Sequence, residues 1–301
     1  MQIDEQVDRV LTRFKIPEFV TATRDGGVNT RPMSALWMPE HNHIMLTTPA
    51  AFPQKAFNIR RDGRAALLYS DFAGSGLGDG PAVLVQGRAT APDVVALPED
   101  IPEFWRGVFA KNPRDPAEYT AENQDGMDWY YWRLPLYLTP ERITLLPRTP
   151  AGGATEPPAP GPGVDLHERV ADALVRYPTA TFAGRDEDGM PFAVRAEVTH
   201  TERGGELDVR PTAPGPKLTG PTNLLWHRHG GQADRMSVLL VAGTTTGSTF
   251  VPERVPGEGT VDGPLVDWQV VARENSLRYL ARRNLGAPEI DWAALAGFTK
   301  G

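Results

Sequence analysis

Apolar positions along the chain switch between a helical period and a strand period, and the switching is ordered. Ile3, Val7, Val10, Leu11 and Phe14 recur at helical spacing behind early acids, which predicts an amphipathic helix that Pro17 stops. Phe19–Thr23 is a short strand run, Asp25-Gly26-Gly27 a hairpin turn, and Val28–Trp37 the returning strand. Pro32 lies inside that return and implies an edge or a bulge, because proline gives no donor to a ladder. Ile44–Thr48 reads as a third strand, and Phe52–Arg61 as a short helix with Ala56 and Ile59 facing inward. Arg64–Tyr69 and Ala82–Thr90 are two further strands, separated by a glycine-rich loop at 72–81. Helical spacing returns over 101–109, an aromatic run covers 129–138, and 140–146 reads as a closing strand.

The stretch that follows is rich in Pro, Gly, Ala and Thr and cannot pack a core, so 148–163 is expected to be a linker. After it the order begins again. Val164–Tyr177 has helical spacing, Thr179–Gly184 is a strand, Arg185–Gly189 a turn, and Phe192–Thr199 the return strand. Glu206–Pro211 and Ser237–Thr244 are strands with an Asn223-Leu224-Leu225 segment between them, set against Asn58 of the first half. Phe250-Val251-Pro252-Glu253-Arg254 echoes Leu138-Thr139-Pro140-Glu141-Arg142. We read a diverged internal duplication: domain 1–147, linker 148–163, and second domain 164–301, which ends in an amphipathic helix over Trp268–Asn284 and a docking tail. The fold class expected is mainly β with peripheral helices, two barrels in tandem.

Composition narrows the function. The 301 residues are 40% apolar and 23% charged, which suits a globular protein with real cores. A formal charge of −7 argues against nucleic acid as a partner. With no cysteine, disulfides, thiolate metal sites and cysteine nucleophiles are excluded. No apolar run suits a membrane helix and the first residues do not read as a signal peptide, so a cytoplasmic location is expected.

Several patterns invite chemistry and are outweighed. Gly74-Ser-Gly-Leu-Gly-Asp-Gly80 has its third glycine misplaced for a dinucleotide loop, and no helix follows. No serine has the flanking glycines of a nucleophile elbow. His41-Asn42-His43 and His227-Arg228-His229 could each chelate a metal through alternate side chains, but no third histidine adjoins either. Both are expected to be solvated loops, and no metal site is assigned. Trp105, Trp226 and Trp268 are expected to serve packing.

The ordered set Gly27-Val-Asn-Thr-Arg-Pro-Met-Ser-Ala-Leu-Trp37, Leu46-Thr-Thr48, Lys55-Ala-Phe-Asn58, Arg61-Asp-Gly-Arg-Ala-Ala-Leu-Leu68 and Val85-Gln-Gly-Arg-Ala89 resembles the pyridoxamine 5'-phosphate oxidase-like flavin split barrels. It covers residues 5–146 well and 164–256 in outline. The resemblance implies split barrels, and an FMN cofactor, or in some branches the deazaflavin coenzyme F-420 or haem, held between two barrels. It implies that Arg31, Pro32, Met33 and Ser34 lie along the flavin ring. It places Thr47 and Thr48 by the ribityl chain or phosphate, and Gln54 and Lys55 at the phosphate. Pro53-Gln54-Lys55 stands where family members often carry Ser-Arg-Lys. Trp37, Trp129 and Tyr131 would line a substrate pocket. The function implied is a flavin-dependent oxidoreductase acting on a small organic substrate, with NAD(P)H as a candidate reductant. The alternative is a non-catalytic flavin, deazaflavin or haem carrier. The second copy would complete the groove without a full site of its own, with Gly220 where Lys55 would be expected, so that the chain is a pseudo-dimer able to pair again as a homodimer.

Overall fold

The computed structural model describes residues 3–78, 80–151, 161, 163–202, 204–229, 237–257 and 268–300. Most of the expected linker lies outside the described residues. The chain is mainly β with peripheral helices, as its periodicities imply. In chain order its elements are α1 (Glu5–Arg13), β1 (Glu18–Ala22), β2 (Val28–Pro32), β3 (Ala35–Met38), β4 (His43–Pro49), α2 (Gln54–Arg61), β5 (Arg64–Tyr69) and β6 (Ala82–Thr90). Then follow α3 (Pro102–Lys111), α4 (Asp128–Tyr131) and β7 (Arg133–Leu146). The second half supplies α5 (Leu166–Arg176), β8 (Ala180–Arg185), β9 (Pro191–His200), β10 (Leu207–Pro211), β11 (Gly220–Arg228), β12 (Ser237–Thr246), β13 (Thr249–Arg254), α6 (Trp268–Ala281) and α7 (Trp292–Phe298).

Strand order carries the duplication further than sequence could. The first sheet runs β2-β1-β5-β6-β7-β4-β3, and the second closes as β10-β13-β12-β11-β8-β9. Reading β8 to β13 as counterparts of β1, β2–β3, β4, β5, β6 and β7 makes the two orders the same. One difference explains why only the second closes. Strand β9 is continuous and pairs with β8 through Ala180↔Ala196 and with β10 through Pro211↔Ala196. Its counterpart breaks after Pro32, the last partner of Glu18, and resumes at Ala35, which pairs with Leu46. Proline offers no ladder donor, so the break falls where the sequence set it. Another difference is a correction: Asn58 lies in α2, whereas Asn223 lies in the middle of β11, so the two asparagines are not equivalent.

The chain divides into two compact units, and neither is one sequence half. One comprises Met1–Met33, Arg64–Arg88 and Pro140–Gly263; the other Ser34–Gly63, Ala89–Thr139 and Pro264–Gly301. Within the first unit β1, β2 and β5 share a core with the closed barrel. Val20, Val28, Ala66, Leu68 and Leu84 pack with Phe182, Val194, Leu224, Trp226 and Phe250. Polar bonds tie the same layers: Asn223 Nδ2 donates to Val28 O at 2.8 Å and Gln86 Nε2 to Pro191 O at 2.7 Å. The second unit is built on α3 and α7, with Ile101, Phe104, Trp105, Phe109, Tyr131, Leu295 and Phe298 as its centre. Trp268 departs from expectation, being 60% exposed at the start of α6, whereas Trp105 and Trp226 are buried. Among the described residues no helix is long and apolar enough to cross a membrane.

Candidate functional site

Eight of the eleven residues singled out from sequence belong to the second unit: Ser34, Trp37, Thr47, Thr48, Gln54, Lys55, Trp129 and Tyr131. Strand β4 carries Thr47 and Thr48, both buried, and a tight turn leads from its end into α2. Thr48 Oγ1 donates to Phe52 O at 3.0 Å, and Phe52 N donates to Pro49 O at 2.9 Å, so that turn is held from both sides. Thr47 Oγ1 accepts from Arg133 Nε at 2.8 Å, and Thr47 O accepts from Arg133 Nη2 at 3.3 Å. The guanidinium also donates to Tyr130 O and stands over the Tyr130 ring at 4.8 Å. Burial pulls the pKa of Arg133 below its ordinary value. Sequence reading missed this cation, because nothing near Arg133 marks it as an inward-facing charge.

Helix α2 begins in an unusual way. Its N-cap is Pro53, which offers no side-chain cap, and its first turn holds no acid. The opening amides of a helix have no partner within it and carry the positive end of its dipole. Lys55 adds a cation in that same turn. Gln54 Nε2 donates along the helix to Asn58 Oδ1 at 2.9 Å, and Arg61 donates to the same oxygen at 3.1 Å. The start of α2 thus gathers donors and one cation with no competing carboxylate on the helix itself. That is the makings of an anion seat.

The aromatic candidates are core residues. Trp37 and Trp129 are buried, and Trp129 meets Phe52 and Trp268 edge-on. Tyr131 is buried, bonds through its hydroxyl to Gln124 at 3.2 Å, and has its phenol pKa raised by burial. The remaining three candidates belong to the first unit. Arg31 donates to Pro256 O at 2.8 Å, Pro32 ends β2, and Met33 is buried with its amide on Pro17 O.

The first unit also holds a buried polar cluster that the sequence did not disclose. Glu18 opens β1 with no exposure, and its Oε1 receives Ser70 Oγ at 2.6 Å and Thr181 Oγ1 at 3.2 Å. The same oxygen lies 2.9 Å from His227 Nε2 and 3.8 Å from a guanidinium nitrogen of Arg195. Burial alone would raise the Glu18 carboxyl, but His227, Arg195 and the Ser70 hydroxyl hold it below its ordinary value. His229 stacks on His227 at 5.9 Å and approaches Asp71 at 3.3 Å. The expectation of a solvated His-Arg-His loop is therefore overturned. Both imidazoles are buried: His227 faces inward on β11, and His229, one residue past the strand's end, continues the same two-residue alternation. The acids they meet come from β1 and the loop after β5, remote in sequence. A separate cavity of about 600 Å³ opens in the closed barrel among Phe182, Phe192, Val194, Leu218 and Thr245.

No family model and no curated protein matches the chain. Solved structures resemble it over about half its length. One is a candidate pyridoxamine 5'-phosphate oxidase from Listeria innocua, with 15% identity over 47% of this chain and 96% of that one, TM-score 0.32. Another is an F-420 reductase, with 16% identity over 47% and 98%, TM-score 0.30. A third is a conserved hypothetical protein from Mycobacterium tuberculosis, with 23% identity over 52% and 96%, TM-score 0.35. These are likenesses of outline.

Proposed function

We propose that this chain binds a flavin-type cofactor, FMN or the deazaflavin coenzyme F-420, and uses it for redox chemistry on a small organic substrate. The observation that carries the reading is the start of α2. Pro53 gives its opening amides no side-chain cap, its first turn is free of acids, and Lys55 sits beside Gln54 at the place where the resemblance implies a phosphate. A phosphate there would gain charge-assisted bonds and the favourable end of the helix dipole. The Thr48–Phe52 bond fixes the turn that aims those amides, and Arg133 fixes Thr47 beside it. The chain would be organised as two barrels of a pseudo-dimer, 1–147 and 164–301. The cofactor supplies hydride or electron transfer, while the protein binds it, orients it and excludes water.

The test is spectroscopic. Purified protein titrated with FMN and with coenzyme F-420 should bind one of them saturably, with a shifted absorption band and altered fluorescence. No binding of either overturns the reading. Anaerobic bleaching of the bound cofactor by NAD(P)H then supports an oxidoreductase. A cofactor that no reductant reaches, or haem bound in its place, supports the carrier reading.

A further inference from the structure

We propose that Asp71, His227 and His229 form a binding site for a divalent transition-metal ion, with Glu18 positioning His227 from behind. The three residues each offer one ligand atom, these atoms lie within 4.8 Å of one another, and all three side chains are buried. Two imidazoles and one carboxylate are a donor set suited to zinc or ferrous iron, with a coordination position left open.

Three observations carry the site beyond mere proximity. The first is the state of His227. A carboxylate can only accept, so His227 Nε2 donates to Glu18, and in the neutral ring Nδ1 is left as a bare lone pair. That nitrogen is buried and has no hydrogen-bond partner. An imidazole tied by one nitrogen to a carboxylate and offering the other is the arrangement that orients metal ligands. The second is the Asp71–His229 contact. Asp71 Oδ2 has no hydrogen bond although His229 Nε2 lies 3.3 Å away. That spacing matches the edge of a tetrahedron around zinc, about 3.3 Å for bonds of about 2.05 Å. His229 also bonds to the Asp71 main chain, which sets the ring's orientation.

The third observation is charge. Two buried carboxylates, Glu18 and Asp71, share this pocket with one guanidinium, Arg195. Arg195 is further held by Thr179 O at 2.6 Å and by the Thr181 hydroxyl at 3.0 Å, so it is fixed on the Glu18 side. Arg195 pairs with Glu18, so a divalent ion between Asp71 and the two rings would meet the carboxylate on the other side of the cluster.

The full chain, stripped of metal with a chelator and titrated with Zn²⁺, should bind one ion. Co²⁺ in its place should give the visible d–d bands of a nitrogen- and oxygen-ligated site. Asp71→Asn and His229→Gln should each weaken zinc by more than ten-fold, and Glu18→Gln by about 10–100-fold as a change behind the ligand. His41→Gln, at an exposed histidine outside the cluster, should leave the affinity unchanged. Folded wild-type protein that binds no Zn²⁺ and gives no Co²⁺ bands overturns the proposal, whether or not the variants fold. So does zinc binding that survives Asp71→Asn and His229→Gln intact.

Discussion

Arg133 Nε donates to Thr47 Oγ1 at 2.8 Å, and both side chains are buried. The pair joins β7 to β4 along a register in which Thr47 faces Pro135, a residue with no amide to give. The guanidinium supplies part of the bonding that the proline cannot. Thr47→Val would leave a buried cation short of an acceptor, at a cost of about 1–3 kcal/mol. Urea unfolding should show that loss in the cofactor-free protein. Loss of flavin affinity with unchanged stability would instead make the Thr47 hydroxyl a direct ligand contact.

Lys55 bears on the anion seat directly. Lys55→Glu places a carboxylate in an acid-free first turn, opposing a bound phosphate while favouring the helix dipole. Flavin affinity should fall by ten-fold or more at low salt while thermal stability holds or rises. Lys55→Ala should lie between. Calorimetric titration at two ionic strengths checks this, and equal affinity across the three proteins would remove Lys55 from the site.

Much of this architecture was legible in period and punctuation. The strand Ala82–Thr90 has the bounds its alternation implied, and Pro32 broke a ladder where a missing donor must. The duplication was legible too, because order survives when identity does not. Other features were not. The 129–138 run divides into a short helix and a strand that continues through Pro135 and Pro140 to Leu146, since pairing across the sheet outweighs local punctuation. Glu18, Asp71, His227 and His229 come together from three distant segments, and a strand charge pointing inward looks, in sequence, like one pointing out. Thr47, Thr48 and Lys55 were legible only as an ordered set; what they bond to was not.

Gly243 is a tighter constraint than its place in a strand suggests. The β12–β13 register shifts between Ala242 and Gly243, and a Cβ on Gly243 would collide with Val251 O and meet the Phe250 ring at 2.7 Å. Phe250 is fully buried in the first unit's core, so it has no open side to retreat to. Gly243→Ala should therefore destabilise by about 1–3 kcal/mol through overpacking. Gly76→Ala, where a Cβ meets nothing within 4 Å but φ is +65°, should cost about 1 kcal/mol from backbone strain alone. Denaturant midpoints of the two variants should rank in that order.

Lys111 gives stability a dependence on alkaline pH. It ends α3, its ammonium donates to Ala35 O at 2.8 Å, and burial pulls its pKa down to about 8 from 10.5. Between those values the unfolded chain binds the proton that the folded chain has released, so this residue's contribution to stability rises with pH across the window. Below pH 8 both states hold the proton, and the desolvation penalty is constant and at its largest. Lys111→Met removes the penalty and the bond to Ala35 together. The variant should gain on the wild type at pH 7, and that advantage should shrink by an amount on the order of 2–3 kcal/mol as pH climbs from 8 to 10.5. Other titrating groups are common to both proteins and cancel in the difference. Paired urea curves at pH 7, 8, 9 and 10 measure it, and parallel stability profiles would show that Lys111 keeps an ordinary pKa in the folded chain.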